Sequence, residues 1–305
     1  MKEDPRGDLA AEIDAYLLSC LSRGVKLSTI KHSYGYSLGA VLLPWCQAEG
    51  ITTAADLNER ALERFASAVR DRTTRDGSPM AENTVWTYQK AANQLVKWYA
   101  ELHDTTGAKV MLHQPPGRMV VTLERDQIAL MERTADTERD RVIVRLLADS
   151  GMRAGELAKI TKGDLRDGGG RHYVRIGGTT DERYVPITPE MHARLGALAR
   201  RADDEPIFVG LRRDRRTGQR EALTVAGVRQ MVGALAVNAG VSTKVNPYVF
   251  RHSACRWLLM SGESPLIVEK ILGHGSAAMI REHYSDLGND NAHDRLMQVL
   301  RAERS

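Results

Sequence analysis

Apolar residues recur at helical spacing from residue 8 to about residue 103, and this pattern predicts a first domain, 8–103, that consists of helices alone. Glycines and a "DGSP" turn separate the periodic stretches, as expected between packed helices. Two of the helices open alike, with "STI" at 28–30 and "NTV" at 83–85, so Ser28 and Asn83 are predicted as helix caps. The stretches read AAEIDAYLLSCL, TIKHSYGYSLGAVLLPWCQAEG, NERALERFASAVRD and NTVWTYQKAANQLVKWYAELH.

A linker is predicted at 104–121, because Pro115–Pro116 and Gly117 allow no long helix there. Residues 122–305 form the predicted second domain. It begins with helical spacing, which gives way at 164–188 to residue-by-residue alternation with turns at "GGG" and "GGTTDE", typical of a small antiparallel sheet.

Helical spacing then returns, and three polar residues stand where helices are predicted to begin. They are Thr188, Thr224 and Ser264. The fold class predicted is therefore mainly α: a helical domain followed by a mostly helical domain with a small antiparallel β-sheet.

Composition narrows the class of protein. A chain of 305 residues with 42% hydrophobic content is long enough for about two domains. The three cysteines (Cys20, Cys46, Cys255) stand far apart, which fits neither a disulfide framework nor a zinc site and suits a reducing compartment. No apolar run approaches the roughly 18 residues that a membrane span needs, and the acidic start is unlike an export signal, so we expect a cytoplasmic protein without a membrane partner.

The net charge is a weak indication of a nucleic-acid partner. The net charge is +4, and the surplus lies beyond residue 110, because residues 1–110 hold 13 basic and 14 acidic side chains. The densest basic patch is "LRRDRRTGQR" at 211–220. It is interpreted either as a solvated loop or as a segment that contacts phosphates.

Four residues are candidates for chemistry, and each has an ordinary structural alternative. Arg153 precedes the helix "AGELAKIT", and the N-terminus of a helix is a favourable place to bind an anion. An ion pair with Glu156 would also explain an arginine at this position. Arg251 lies beside an apolar helix face and needs a partner, either a protein carboxylate or a ligand phosphate. His274 could cap a helix, and Tyr284 could be a packing aromatic.

Taken in order, "MRAGEL", an alternating hairpin, "YVFRH", "LGH" and a tyrosine ten residues after that histidine resemble the tyrosine recombinase (phage integrase) family. The family's "R-x-x-E-L" falls on Arg153 and Glu156, and its "H-x-L-R-H" falls on the five residues from Tyr248 to His252. Its "L-G-H" ends at His274. The resemblance covers roughly residues 10–300 and implies a core-binding domain before a catalytic domain.

The resemblance also implies a mechanism. Tyr284 would attack a DNA phosphodiester, and Arg153 and Arg251 would hold the charge that develops on the phosphate oxygens. The resulting 3′-phosphotyrosyl bond keeps the energy of the broken one, so neither a cofactor, ATP nor a metal ion is expected. His274, His283 and His252 also lack the paired spacing of zinc ligands.

The chain departs from the family at two places. Tyr248 replaces the first histidine of "H-x-L-R-H", and it donates a hydrogen bond but is no acid or base near neutral pH. The hairpin lysine, which protonates the leaving 5′-oxygen in the family, is replaced by Gly178, with Asp181 at the other usual position. Arg183 is the nearest cation, but a guanidinium is a poor proton donor. We expect slow cleavage, an acid from elsewhere, or a shifted hairpin alignment.

The expected function is a site-specific recombinase of the phage or mobile-element integrase type, acting on short core sites because no arm-binding domain precedes residue 8. Alternatives are a resolvase of chromosome or plasmid dimers, a catalytically impaired DNA-binding relative, and a type IB topoisomerase or telomere resolvase. Expected partners are double-stranded DNA, three further copies in a homotetramer, and an accessory DNA-bending or directionality protein. The tail 291–305 either exchanges between copies or packs on its own domain.

The N-terminal helices that open with "STI" and "NTV" either form only core or also face DNA. If they face DNA, we expect base contacts from side chains in "TIKHS" and "TVWTYQK". The candidates are Thr29, Lys31, His32, Thr87 and Lys90.

Overall fold

The computed structural model describes residues 8–74, 76–109, 112, 120–177, 182–199, 202–213, 216–273 and 280. The chain divides into two compact units, Met1–Pro116 and Gly117–Ser305. The DNA-binding role of the first unit and the catalytic role of the second stay predictions.

The described part of the first unit is helical, as its apolar periodicity predicts. Its apolar faces bury one core, to which Leu38, Leu62, Phe65 and Leu95 each contribute a side chain at most 1% exposed. The elements are α1 Asp8–Ser22, α2 Leu27–Thr29, a π-helix Ile30–Leu42, α3 Leu43–Ala48, a 3-10 turn Ala54–Asp56, α4 Glu59–Arg70 and α5 Glu82–Leu102.

The two predicted caps in this unit are wrong. Helix α2 begins at Leu27 and α5 at Glu82, so Ser28 and Asn83 lie inside the first turn, and neither helix has a side-chain cap. In α5 an acidic residue, Glu82, stands in the first turn, where its charge favours the positive end of the helix dipole. Helix α4 does have a side-chain cap, since Asn58 accepts a hydrogen bond from the backbone of Ala61 at 3.0 Å.

The second unit is mostly helical and contains the predicted sheet. Its core includes the apolar face of α7, with Val142, Ile143, Leu146 and Leu147 fully buried. The elements are α6 Arg125–Thr134, α7 Glu138–Ser150, α8 Ala154–Leu157, a 3-10 turn Lys162–Asp164, β1 Leu165–Gly168, β2 Arg171–Ile176, β3 Arg183–Ile187, α9 Pro189–Leu198, β4 Val209–Arg213, β5 Arg220–Ala222, α10 Val225–Asn238, α11 Pro247–Met260 and α12 Pro265–Leu272.

Strands β1, β2 and β3 form an antiparallel sheet in that order. Val174 pairs with both Leu165 and Val185, and it is fully buried, so one face of the sheet covers the core. At its far end Ile176 pairs with Arg183, which places Arg183 next to the turn that joins β2 to β3. The turn itself, 178–181, lies outside the described residues.

The structure shows three of the predicted helix caps and the surroundings of the basic patch. The predicted caps Thr188, Thr224 and Ser264 are confirmed, because each side chain accepts a hydrogen bond from the first turn of its helix. The two ends of the patch 211–220 belong to strands: β4 (Val209–Arg213) and β5 (Arg220–Ala222) pair antiparallel, with Arg213 opposite Arg220. Its strand signal is hidden in the sequence because the strands carry arginines instead of an apolar alternation.

A partly buried ion-pair network joins α6, α7 and α9. Arg194 donates to Glu138 at 2.7 Å and to Glu132 at 3.3 Å, and Glu132 also accepts from Arg145 at 2.9 Å. We expect Arg194→Gln to lower the free energy of unfolding by about 1–2 kcal/mol, because two carboxylates that are partly removed from water lose a charged donor. Urea denaturation measures this difference, and an unchanged midpoint would contradict the expectation.

Candidate active site

Arg153 stands at the N-terminus of α8 and is held there by Glu156. The Glu156 carboxylate accepts from the backbone N–H of Arg153 at 2.7 Å and from its guanidinium at 3.0 Å. The ion pair considered from sequence therefore exists. The Arg153 side chain is still 44% exposed, so it is also accessible from solvent.

Glu156 is shared with a second arginine. Arg183 approaches it with both terminal nitrogens, at 2.9 and 2.8 Å, in the parallel geometry that suits a guanidinium and a carboxylate. Burial raises the pKa of Glu156, but the hydrogen bonds from Arg183 and Arg153 outweigh burial and hold the pKa below its ordinary value. Glu156 is therefore an anion that binds two cations.

Arg251 is almost completely buried, with 2% of the residue exposed. Its guanidinium donates to the backbone carbonyl oxygens of Gly151 at 2.9 Å and Leu272 at 2.8 Å. Among the residues that the structure describes, no carboxylate lies within ion-pair distance of it. Burial, followed by the nearby charge of Arg153, lowers the pKa of Arg251 to about 10.

Two glycines pack closely against neighbouring side chains at this site. Gly151 ends α7 with φ +58°, and a Cβ there would lie 2.5 Å from the Leu272 side chain. Gly273 has φ +92°, and a Cβ there would lie 2.8 Å from the Arg183 guanidinium. Both positions require a left-handed backbone and an absent side chain, which only glycine combines.

These contacts bring four of the predicted site residues together. Arg153, Arg183 and Arg251 carry three positive charges, and Glu156 supplies one negative charge. The positive charges of Arg153 and Arg183 and the negative charge of Glu156 all act on Arg251, which places it within the same electrostatic neighbourhood. Such a partly desolvated, net positive cluster is suited to bind an anion such as a phosphate.

Tyr248 lies in the first turn of α11, one helical turn before His252. The two rings meet edge to face, with centroids 4.5 Å apart and planes at 87°. His252 is buried while Tyr248 is 56% exposed, so the histidine orients a phenol that remains accessible. Sequence reasoning placed His252 in the motif but did not single it out; the i, i+4 spacing on one helix was the available signal.

His274 and Tyr284 lie outside the described residues, as do Gly178 and Asp181 of the hairpin turn. Arg183, considered as the nearest cation to that turn, is only 15% exposed and is bound to Glu156. Although Arg183 is close to the hairpin turn in the sequence, its guanidinium is bound to Glu156 in α8.

The five candidate DNA-binding residues belong to the first unit. Lys31, His32 and Lys90 are exposed, whereas Thr29 and Thr87 are half-buried. The Thr87 hydroxyl donates to the Asn83 carbonyl at 2.7 Å, and the Lys90 ammonium lies 4.6 Å from the Trp86 ring centroid.

The π-helix and α5, which carry most of these residues, pack together. Tyr36 and Tyr88 make contact across them, with ring centroids 6.2 Å apart. The exposed Tyr36 was not predicted as a DNA-binding residue. Its position four residues after His32 was the available signal, because residues at that spacing lie on the same side of a helix.

Within the described ranges, no group of three or more His, Cys, Asp or Glu side chains could hold a metal ion. None of the helices that the structure describes is both long and apolar enough to cross a membrane.

Comparison with known proteins assigns the family. The sequence model of the phage integrase family matches residues 122–290, which is more than half of the chain. The chain therefore belongs to the phage integrase family. The family and fold class predicted from the sequence are confirmed, and the expected enzyme class, a tyrosine site-specific recombinase, is that of the named relatives.

Named relatives agree with the family. Tyrosine recombinase XerA of Pyrococcus furiosus is 34% identical over 143 residues, 46% of this chain and 48% of that protein. Tyrosine recombinase XerC of Xanthomonas campestris is 25% identical over 249 residues, 78% of this chain and 73% of that protein. The chain thus spans about half the length of the first relative and about three quarters of the second.

Solved structures share the fold. The Tn1549 transposon integrase has a TM-score of 0.69 at 14% identity, with 94% of this chain and 99% of that chain covered. The XerH recombinase has a TM-score of 0.67 at 18% identity, covering 93% and 82%. Lambda integrase has a TM-score of 0.63 at 18% identity, covering 89% and 96%.

Proposed function

We propose that this chain is a DNA recombinase of the phage or mobile-element integrase type, which cleaves and rejoins DNA through a 3′-phosphotyrosyl intermediate on Tyr284. The observation that carries the proposal is a cluster in which Arg153 and Arg183 bind a single carboxylate, Glu156, while the buried Arg251 nearby binds backbone carbonyls. A net positive, partly desolvated site of this kind matches the charge of a phosphodiester.

The arginines would stabilise the transition state. A phosphodiester under attack becomes a five-coordinate phosphorane with more charge on its non-bridging oxygens, and fixed guanidiniums stabilise that charge without reorganising. Arg153 is exposed enough to reach one oxygen, and Arg251 would bind from the buried side. Tyr248 would donate a hydrogen bond, and His274 would face the same phosphate.

Tyr284 would be the nucleophile. Its phenol oxygen bonds to phosphorus while the bond from phosphorus to the 5′-oxygen breaks; the phenol proton passes to an acceptor, and the 5′-oxygen takes up a proton and leaves as a hydroxyl. The 5′-hydroxyl of another strand reverses this step, which exchanges strands. No metal ion or ATP takes part, because the phosphotyrosyl ester conserves the bond energy.

DNA and further copies of the chain are the proposed partners. Lambda integrase has been solved as a tetramer bound to a Holliday junction, and XerH bound to its difH substrate. For this chain we propose double-stranded core-site DNA, a homotetramer with exchange of the tail 291–305, and an accessory DNA-bending or directionality protein. The reaction would take place in the cytoplasm, on nucleoid or phage DNA.

The first unit would contact the DNA. Lys31, His32 and Lys90 are exposed on two helices that pack together, and Tyr36 adds an exposed aromatic ring to the same pair. Thr29 and Thr87 are half-buried, so we expect them to contribute less to DNA binding. The Thr87 hydroxyl, in addition, already donates a hydrogen bond to the Asn83 carbonyl within α5.

A dimer-resolving recombinase is the second candidate, favoured by the XerA and XerC relatives. The integrase type is preferred because Tyr248 and the lysine-free hairpin depart from a regular family pattern. The two differ in their DNA sites. Sequencing the DNA that is covalently captured in host cells should give the two unlike ends of an inserted element for an integrase, and one symmetric chromosomal site for a resolvase.

A nicked suicide substrate carrying that site tests the chemistry. We expect the wild type to form a covalent adduct that survives a denaturing gel, with or without EDTA, and Tyr284→Phe to form none. Tyr184→Phe is a matched control, since Tyr184 is 50% exposed and binds Glu182 through its hydroxyl, apart from the arginine cluster.

The outcomes separate the alternatives. Tight binding without an adduct would instead support an impaired DNA-binding relative. An adduct in Tyr284→Phe would show that another residue is the nucleophile. Relaxation of supercoiled plasmid that carries no such site would favour a topoisomerase.

A further inference from the structure

Arg183, on β3, joins two separate parts of the candidate site. Its terminal nitrogens bind Glu156, its Nε donates to the Ile271 carbonyl at 3.2 Å, and its plane lies against Gly273. Glu156 in turn holds Arg153 through the backbone and the guanidinium. One side chain at the end of the hairpin therefore contacts both the arginine-bearing α8 and the end of α12.

The end of α12 is held by two arginines. The carbonyls in the last turn of a helix have no partner within the helix, and cations stabilise them. Arg183 binds the carbonyl of Ile271 and Arg251 binds that of Leu272, so two guanidiniums fix the point where the chain leaves α12. Gly273 follows, and its sequence neighbour is His274.

We propose that Arg183 is a positioning residue: through Glu156 it orients Arg153, and through Ile271 it fixes the end of α12, while it takes no part in proton transfer. This inference rests on the proposed function. Arg183 is suited to the role because a planar guanidinium satisfies three acceptors in one fixed geometry, which a lysine cannot do. It is unsuited to proton transfer, since a guanidinium is a poor proton donor and both terminal nitrogens of Arg183 are bound to Glu156.

The test uses the full chain and two forms of the suicide DNA, one with the natural 5′-bridging oxygen and one with sulfur in its place. Sulfur leaves as a thiolate without an acid. Loss of an acid therefore slows only the oxygen substrate, whereas loss of positioning slows both. We expect Arg183→Gln to slow cleavage of both substrates by the same factor, about 10- to 100-fold. DNA affinity should stay within about twofold, because Arg183 is mostly buried.

Two further variants separate positioning from a general loss of fold. Arg183→Lys keeps the charge but loses the fork, so we expect an intermediate rate. Arg194→Gln is the matched control: Arg194 is 20% exposed against 15% for Arg183 and also binds carboxylates, but it lies in the α6, α7 and α9 network. It should lose stability while the cleavage rate per folded molecule stays within about twofold.

A double-mutant cycle measures the coupling between Arg183 and Arg153. If Arg183 acts through Arg153, combining Arg183→Gln with Arg153→Lys should slow cleavage by less than the product of the single effects.

The inference fails if Arg183→Gln, shown to be folded by its circular dichroism, cleaves both substrates at the wild-type rate. It also fails if Arg183→Gln is slow on the oxygen substrate but cleaves the sulfur substrate as fast as the wild type cleaves that substrate, because Arg183 would then be the acid, or if the cycle shows independent effects. If the wild type forms no adduct with either substrate, the proposed function fails instead.

Discussion

Replacing Arg251 with lysine is expected to lower the rate of covalent adduct formation by about 10³-fold while leaving DNA binding nearly unchanged. A single preorganised donor to a developing oxyanion contributes on the order of 10²–10³ in rate. Lysine keeps the charge but loses the planar fork that the buried geometry requires. Single-turnover cleavage of the suicide substrate, with affinity measured separately, gives both quantities.

The same variant should also lose anion-dependent stabilisation. Arg251 is a buried cation whose pKa is lowered to about 10, mainly by burial, so a bound anion relieves an unfavourable charge. We expect inorganic sulfate to raise the Tm of the wild type more than that of Arg251→Lys. Arg256→Lys, on the same helix but paired with Glu124, is the control. Equal cleavage rates in wild type and Arg251→Lys would exclude Arg251 from the clamp.

A substrate with 5′-bridging sulfur is expected to be cleaved by the wild type about 10²–10⁴-fold faster than the natural substrate. A general acid contributes about that much to a rate, and the hairpin turn offers no lysine to supply it. Thiols ionise near pKa 8.5, whereas water, a guide for a hydroxyl, ionises near 15.7, so the thiolate leaves without protonation. The rates are compared on oligonucleotides of one sequence.

A gain-of-function variant controls for the intrinsic difference between sulfur and oxygen. Gly178→Lys restores a cation at the usual family position and should accelerate the oxygen substrate, with little effect on the sulfur substrate. Asp181→Lys tests the other position in the same way. Similar rates for the two substrates in the wild type would mean that another residue protonates the 5′-oxygen.

Much of the second unit was predictable because its signals are local. Alternation at 164–188 reports a two-faced sheet, and Thr188, Thr224 and Ser264 cap helices through bonds to their own first turns. The strands β4 and β5 were missed, because their arginines hide the alternation on which strand prediction depends.

The site was only partly predictable. Motif spacing identified Arg153, Glu156 and Arg251 as candidates, but not their contacts, since Arg251 binds backbone carbonyls, which no side-chain pattern reports. The partnership of Arg183 with Glu156 was likewise invisible, because the two residues are 27 positions apart on different elements.

The wide sequence separation of these contacts affects when the enzyme becomes able to act. Arg251 binds a carbonyl 100 positions earlier, and Arg183 binds one 88 positions later, so the clamp forms only when distant segments have met. A ribosome-bound or truncated chain that ends before Leu272 lacks one of the carbonyls that hold Arg251. The proposed DNA-breaking activity would thereby be delayed until synthesis of the second unit is nearly complete, and it would be lost together with the fold.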